Sequence, residues 1–279
     1  MVDATRRSAV AERITSLQNE RVKAVRALEM RKVRRDTGLF VAEGTSLILS
    51  AREHGHVPET LIVRRAGDEA PSRISEDIVD WALAAGVDVL DVSTPVMEKL
   101  AAKDNPQTLL AVYRQHFAPL PDPASITSDQ TWLALEAIRD PGNLGTIMRT
   151  ADAVGVTGII LAGTCCDPHA REAVRASMGS IFAVPLVRAT EAELHALMAR
   201  WPGDTIGTHL TAREDFRTAP YRHPALLVMG SEGPGLSAPT TAACSRLVKI
   251  PMAGRLDSLN LAVATALALY QLRGQRLAI

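Results

Sequence analysis

Aromatic side chains are scarce: phenylalanine, tryptophan and tyrosine together make up 4% of the 279 residues. A surface that grips nucleic acid mainly by base stacking needs more rings than this, so stacking is confined to few sites. Cysteine is scarcer still. Cys165, Cys166 and Cys244 show no Cys-x-x-Cys spacing, which argues against a disulfide framework or a cysteine zinc site and fits a reducing compartment. His54 and His56 sit beside Gly55 and Pro58 in a loop with no third ligand in sight, so no metal is expected. No charge of either sign prevails: 31 basic residues balance 31 acidic ones, and no overall field attracts a polyanion. The most apolar run, Leu259 to Leu272, is too short to span a bilayer and contains Asn260 and Gln271. Met1 to Val10 lacks the apolar core of a secretory leader. These absences describe a soluble chain expected in the cytoplasm, without membrane or metal partners.

Several enzyme fingerprints are missing as well. There is no G-x-G-x-x-G after a first strand, no Walker Lys-Ser/Thr, no G-x-S-x-G elbow and no H-E-x-x-H. A nicotinamide dehydrogenase, a phosphotransferase, a serine hydrolase and a zinc hydrolase each lose their usual support.

What is present is 47% hydrophobic residues, enough for two ordinary cores. Residues 12–35 read as one helix, with Ile14, Leu17, Val22, Val25 and Leu28 as its apolar stripe. Between Arg21 and Arg35, the basic residues Arg21, Lys23, Arg26, Arg31, Lys32, Arg34 and Arg35 stand against one acid, Glu29, either as a phosphate-binding surface or as a solvated helix face. Short strands and helices then alternate as far as Tyr113, which suggests a small α/β domain over residues 1–117. Pro119, Pro121 and Pro123 mark a linker over residues 118–130. From 131 to 279, short apolar strands alternate with helices, the pattern of a parallel sheet covered on both faces. The last helix, Ser258 to about Arg273, is apolar nearly all round, so one face should meet the sheet and another a second subunit.

Three loops in this half carry polar residues at strand ends. Asp140 to Asn143 opens a helix that Asn143 is able to cap, with Arg149 six residues further on as either a functional or a surface cation. Gly230 to Ser237 follows the apolar run Ala225 to Met229; its three glycines and one proline bend the chain tightly around a lone acid, Glu232. Ile250 to Val263 leads into the last helix, with Asp257 or Ser258 as cap and Asn260 inside the helix, where packing does not explain it.

The stretches "NLGTIMRTADAVGV", "LLVMGSEGPGLS" and "IPMAGRLDSLNLAVATALALY" resemble, in order and separation, the three signature motifs of the SpoU (TrmH-like) branch of the SPOUT methyltransferases. "ITSLQNERVKAVRAL" and "FVAEG" resemble the ribosomal-protein-like RNA-binding extension of many members. The resemblance implies transfer of a methyl group from S-adenosyl-L-methionine to a ribose 2′-hydroxyl of structured RNA, ribosomal more than transfer RNA. It also implies a deep trefoil knot in an α/β parallel-sheet domain, and a homodimer through that domain. By position, it implies Asn143, Arg149, Glu232, Ser258 and Asn260 as the catalytic set. Gly230, Ile250 and Leu259 would contact the cofactor, with Thr208, Leu210 and Met252 lining the same pocket. Under this reading Glu232 holds Arg149 or a nearby loop amide, and the basic cluster contacts RNA phosphates. A non-catalytic RNA-binding factor is the alternative, against which the intact signature residues speak.

Overall fold

A computed structural model describes residues 13–64, 72–101, 108–256 and 258–277, so Asp257 and the Met1 to Val10 segment lie outside the described residues. The basic N-terminal stretch forms two short helices rather than one, α1 (Glu20–Ala27) and α2 (Arg31–Thr37). Asn19 caps α1 by accepting from the Arg21 amide at 2.9 Å. The helix then stops because Arg34 turns back: its guanidinium donates to the carbonyls of Leu28 and Glu29, both at 2.7 Å, satisfying acceptors that a helix end leaves unpaired. Arg34 is 5% exposed, so it leaves the expected phosphate-binding set and serves as an internal cap. Arg21 pairs with Asp88, Lys23 with Glu20 and Arg35 with Asp36. Arg31 and Lys32 are exposed and Arg26 is half-buried.

The first unit comprises Met1–Gln115 and His169–Phe182. After α2 come β1 (Leu39–Glu43), α3 (Thr45–Glu53), β2 (Thr60–Arg64), α4 (Arg73–Ala84), β3 (Asp88–Val92), α5 (Thr94–Leu100) and β4 (Leu109–Arg114). The sheet order is β1-β4-β2-β3, with β4 antiparallel to both neighbours and β2 parallel to β3. Val22 and Val25 from α1, with Leu28 just past its end, pack with Val41, Ile62, Leu90 and Val112 from the strands. The expected division was contiguous, yet residues 169–182 group with this unit. Rings account for much of this: His169 lies 4.6 Å from Phe40 and Phe182 4.9 Å from Tyr113. Arg171 also donates to the Leu100 carbonyl at 2.6 Å.

The second unit comprises His116–Pro168 and Ala183–Ile279. It runs through β5 (Thr131–Glu136), α6 (Pro141–Ala153) and β6 (Gly158–Ala162); α7 (Arg171–Ala176) belongs to the first unit. It resumes with β7 (Leu186–Ala189), α8 (Glu191–Ala199), β8 (Asp204–Thr208), β9 (Glu214–Asp215), β10 (Ala225–Met229), α9 (Ala238–Ala243), β11 (Arg246–Lys249) and α10 (Leu261–Arg273). Its seven strands lie in the order β7-β6-β5-β10-β8-β11-β9, and every pairing is parallel, as the apolar runs predict. β10 enters between β5 and β8, two strands that precede it in the chain. Parallel strands end on one edge, so the loops after β5, β8, β10 and β11 share it, where open α/β sheets hold ligands.

Two elements, β9 and α9, are too short for any periodicity to reveal. α10 starts three residues later than expected. It buries Ala262, Thr265, Ala268, Leu269 and Leu272, one stripe at helical spacing, against α6 and β10.

Candidate active site

The loop after β10 closes on itself. The Ser231 amide donates to the Gly235 carbonyl at 3.1 Å, and the Gly235 amide donates back to Ser231 at 3.0 Å. Gly230 makes the closure possible, since a Cβ there would lie 1.9 Å from the carbonyl carbon of Gly235. Glu232 stands within this closed turn. Its Oε2 accepts the Arg139 amide at 3.0 Å, and its Oε1 accepts the Asp140 amide at 3.3 Å and Asn143 Nδ2 at 3.0 Å.

Asn143 is free to reach Glu232 because it is not the helix cap. Asp140 caps α6, its side chain accepting the Asn143 amide at 2.6 Å, with Pro141 at the first helical position. The Asp-Pro-Gly sequence carried that signal. Asn143 Oδ1 in turn accepts Asn260 Nδ2 at 2.9 Å. Asn260 is not inside α10 but caps it, its Oδ1 accepting the amides of Ala262 and Val263 at 2.9 and 3.3 Å. A three-membered chain, Glu232–Asn143–Asn260, thus ties together the loops after β10, β5 and β11. Burial alone would push the Glu232 carboxyl upward, but hydrogen bonds from Asn143, the Arg139 and Asp140 amides and its own amide outweigh it and hold the group below its ordinary range.

Arg149 is not part of the chain. It is exposed on α6, and Glu232 takes loop amides and Asn143 in place of a guanidinium. Of the two partners expected for Glu232, the loop amides of Arg139 and Asp140 are the ones found, joined by Asn143 and not by Arg149, because the loop after β10 meets the first turn of α6 and Arg149 lies nearly two turns further along. Thr208 donates to Met229 Sδ at 3.5 Å, Ile250 and Met252 are half-buried, and Ser258 is exposed. Glu136, 4% exposed at the end of β5 and bonded to Ser237 and Thr240, carries no signal in the sequence, where it reads as one more strand residue.

The family model described as the SpoU rRNA Methylase family matches residues 130–270. The chain belongs to that family. A model described as the MRM3-like substrate binding domain matches residues 19–111 of this SpoU methylase. The Streptomyces viridochromogenes 23S rRNA (uridine(2479)-2'-O)-methyltransferase is 31% identical over 97% of this chain and 95% of its own. The Bacillus subtilis 23S rRNA (guanosine(2553)-2'-O)-methyltransferase is 29% identical over 94% of this chain and 100% of its own. The AdoMet-bound rRNA methyltransferase from Sinorhizobium meliloti superposes with a TM-score of 0.87 at 39% identity, covering 96% of this chain and 99% of that one. The SpoU methylase is an S-adenosylmethionine-dependent RNA methyltransferase. Its strand-end edge suits such a cofactor: Leu210, Leu256 and Leu259 are 53%, 74% and 36% exposed there, apolar surface that a nucleoside with an aliphatic tail would cover. Among the described residues no cluster of histidine, cysteine and carboxylates could hold a metal, and no helix is long and apolar enough to cross a membrane.

Proposed function

We propose that this methylase transfers the methyl group to a ribose 2′-hydroxyl of a 23S-type ribosomal RNA. The Glu232–Asn143–Asn260 chain carries the reading, since it draws all three signature loops to the strand-end edge. The 23S names of two relatives that span nearly the whole chain, and a substrate-binding match over the first unit, support the choice of RNA.

S-adenosylmethionine supplies an electrophilic methyl group, so the protein's part is to position the hydroxyl and manage its proton. Backbone at Gly230, Ile250 and Leu259 seats the cofactor, with Thr208, Leu210 and Met252 as its walls. Arg149 steadies the developing alkoxide and a neighbouring phosphate. A guanidinium stays protonated in proteins, so the hydroxyl proton leaves to water or to an RNA phosphate. Ser258, exposed beside the capping Asn260, orients the ribose. Arg26, Arg31 and Lys32 contact phosphates and set the register of the RNA. The work takes place in the cytoplasm, where ribosomal RNA and the cofactor meet.

Ribose methylation mapped across total RNA of a deletion strain and its parent should differ at one large-subunit nucleotide. A loss confined to transfer RNA would change the substrate, and identical maps would end the proposal.

The same reading includes a homodimer through α10. Val263, Leu267 and Tyr270 form a stripe on this helix and are 49%, 42% and 52% exposed, apolar surface that a second copy would cover. Leu267→Glu should turn a two-chain species into a single chain in sedimentation equilibrium. A wild-type protein that sediments as one chain would sink the dimer.

A further inference from the structure

Glu136 is 4% exposed, yet all of its bonding goes to one place. Its Oε2 accepts the Ser237 amide at 2.8 Å, and its Oε1 accepts the Ser237 hydroxyl at 2.7 Å and the Thr240 hydroxyl at 2.5 Å. These donors sit at the exit of the Gly230 to Ser237 loop and in the first turn of α9. The Thr240 hydroxyl spends its one proton on Glu136, so His195 Nε2, 2.8 Å away, donates to the Thr240 oxygen and closes the network from α8. Ser237 also caps α9 by accepting the Thr240 amide at 3.3 Å.

Set beside Glu232, this arrangement is reciprocal. Glu232 reaches from the loop after β10 to the amides of Arg139 and Asp140, just beyond β5. Glu136 reaches from the end of β5 to the far side of the same loop. The two carboxylates thus cross between neighbouring strands in opposite directions and hold the loop at its turn and at its exit. Between the two anchor points on the β5 side, Ala137 adopts φ 51°, a left-handed conformation that costs a non-glycine residue about 1 kcal/mol or more and persists where its surroundings fix it.

We propose that Glu136 is a positioning residue for the methyl-donor seat: by holding Ser237 it fixes where the loop presents Glu232 and the backbone at Gly230. The inference rests on the reading of that loop as the seat of S-adenosylmethionine, and it does not depend on which RNA is modified. A buried carboxylate suits the task because it collects three convergent donors at one point, among them the buried Thr240 hydroxyl, which would otherwise lose its acceptor. An apolar side chain of the same size could fill the volume but not orient the loop.

The test is a double-mutant cycle on cofactor affinity, measured by calorimetry with S-adenosylmethionine and the full chain, without RNA. Glu136→Gln keeps the volume and one acceptor but turns an amide nitrogen toward a donor. Alone, it should raise the Kd about tenfold, as should Glu232→Gln; together, the two should raise it by about the same tenfold rather than a hundredfold, since both hold one loop. A substitution that merely loosens the fold would multiply with Glu232→Gln and give the hundredfold figure, which overturns the proposal. Unchanged affinity in Glu136→Gln alone overturns it too. Unchanged affinity in both single variants removes the loop from the cofactor's seat, and the positioning role with it. Should Glu136→Gln fail to fold, Ser237→Ala, which keeps the amide bond to Oε2 and loses the hydroxyl, replaces it in the same cycle and should show a smaller loss with the same non-additivity. The methylation map reports separately on the choice of RNA.

Discussion

Asn143→Asp should lower the single-turnover methylation rate about a hundredfold near neutral pH and recover part of the loss as the pH falls. The aspartate keeps the shape of the asparagine, and one of its oxygens still accepts Asn260 Nδ2. The other oxygen faces Glu232 Oε1, where Asn143 Nδ2 stands at 3.0 Å in the wild type. Two carboxylates at that separation repel by about 5 kcal/mol at an effective dielectric of about 20, and solvent reduces this because Glu232 is only half-buried. About 2.7 kcal/mol is enough for a hundredfold loss if it falls on the transition state. Such a pair eases its repulsion by sharing a proton, which raises one of its two apparent pKa values. Acidification therefore restores a hydrogen bond in the variant. In the wild type the sign is the opposite. The Glu232 carboxyl is held below its ordinary range, so its contribution to stability is complete above the unfolded value and disappears as the pH falls through the lowered folded value. The ratio of variant to wild-type rate should thus rise on acidification. A ratio that stays flat with pH would show that the two groups do not face each other in the working enzyme.

The second large effect belongs to Arg149. Its side chain is exposed on α6 and makes no hydrogen bond or ion pair among the described residues, which leaves its five donors for RNA. Arg149→Ala should reduce kcat by about two to three orders of magnitude, the usual consequence of removing one donor from a developing oxyanion, with the Kd for S-adenosylmethionine unchanged. Arg149→Lys keeps the charge and loses the planar fork, so it should retain activity between the alanine variant and the wild type. Wild-type turnover in the lysine variant would rule out bidentate contact, and a parallel loss of cofactor affinity in the alanine variant would place Arg149 in the seat rather than on the substrate.

The sequence alone placed much of this molecule. The apolar runs over Gly158–Ala162 and Ala225–Met229 are strands with those bounds, because a buried parallel strand must be apolar on both faces and its ends are marked by turn residues. The polar residues after such strands pointed to the strand-end edge, and the three motifs to the family. Asp140 was legible as a cap in principle, from the Asp-Pro-Gly signal. The break between α1 and α2 was not, because the side chain that ends α1 lies six residues beyond the carbonyl it caps.

What tertiary structure decided is which polar residue meets which. Glu232 and Asn143 are 89 residues apart in the chain, and Asn143 and Asn260 are 117 apart. Spacing along a chain reports on a helix turn or a strand pleat, and it carries no information on pairs at that separation. The order β5-β10-β8-β11 sets them, by placing the Glu232 loop against the first turn of α6. The same order puts Glu136 beside the loop exit. Local composition thus determined that Gly230 to Ser237 is a tight loop with one acid. Only the packing of β10 against β5 decided that its acid holds Asn143 and that a second, buried acid stands on the other side of it.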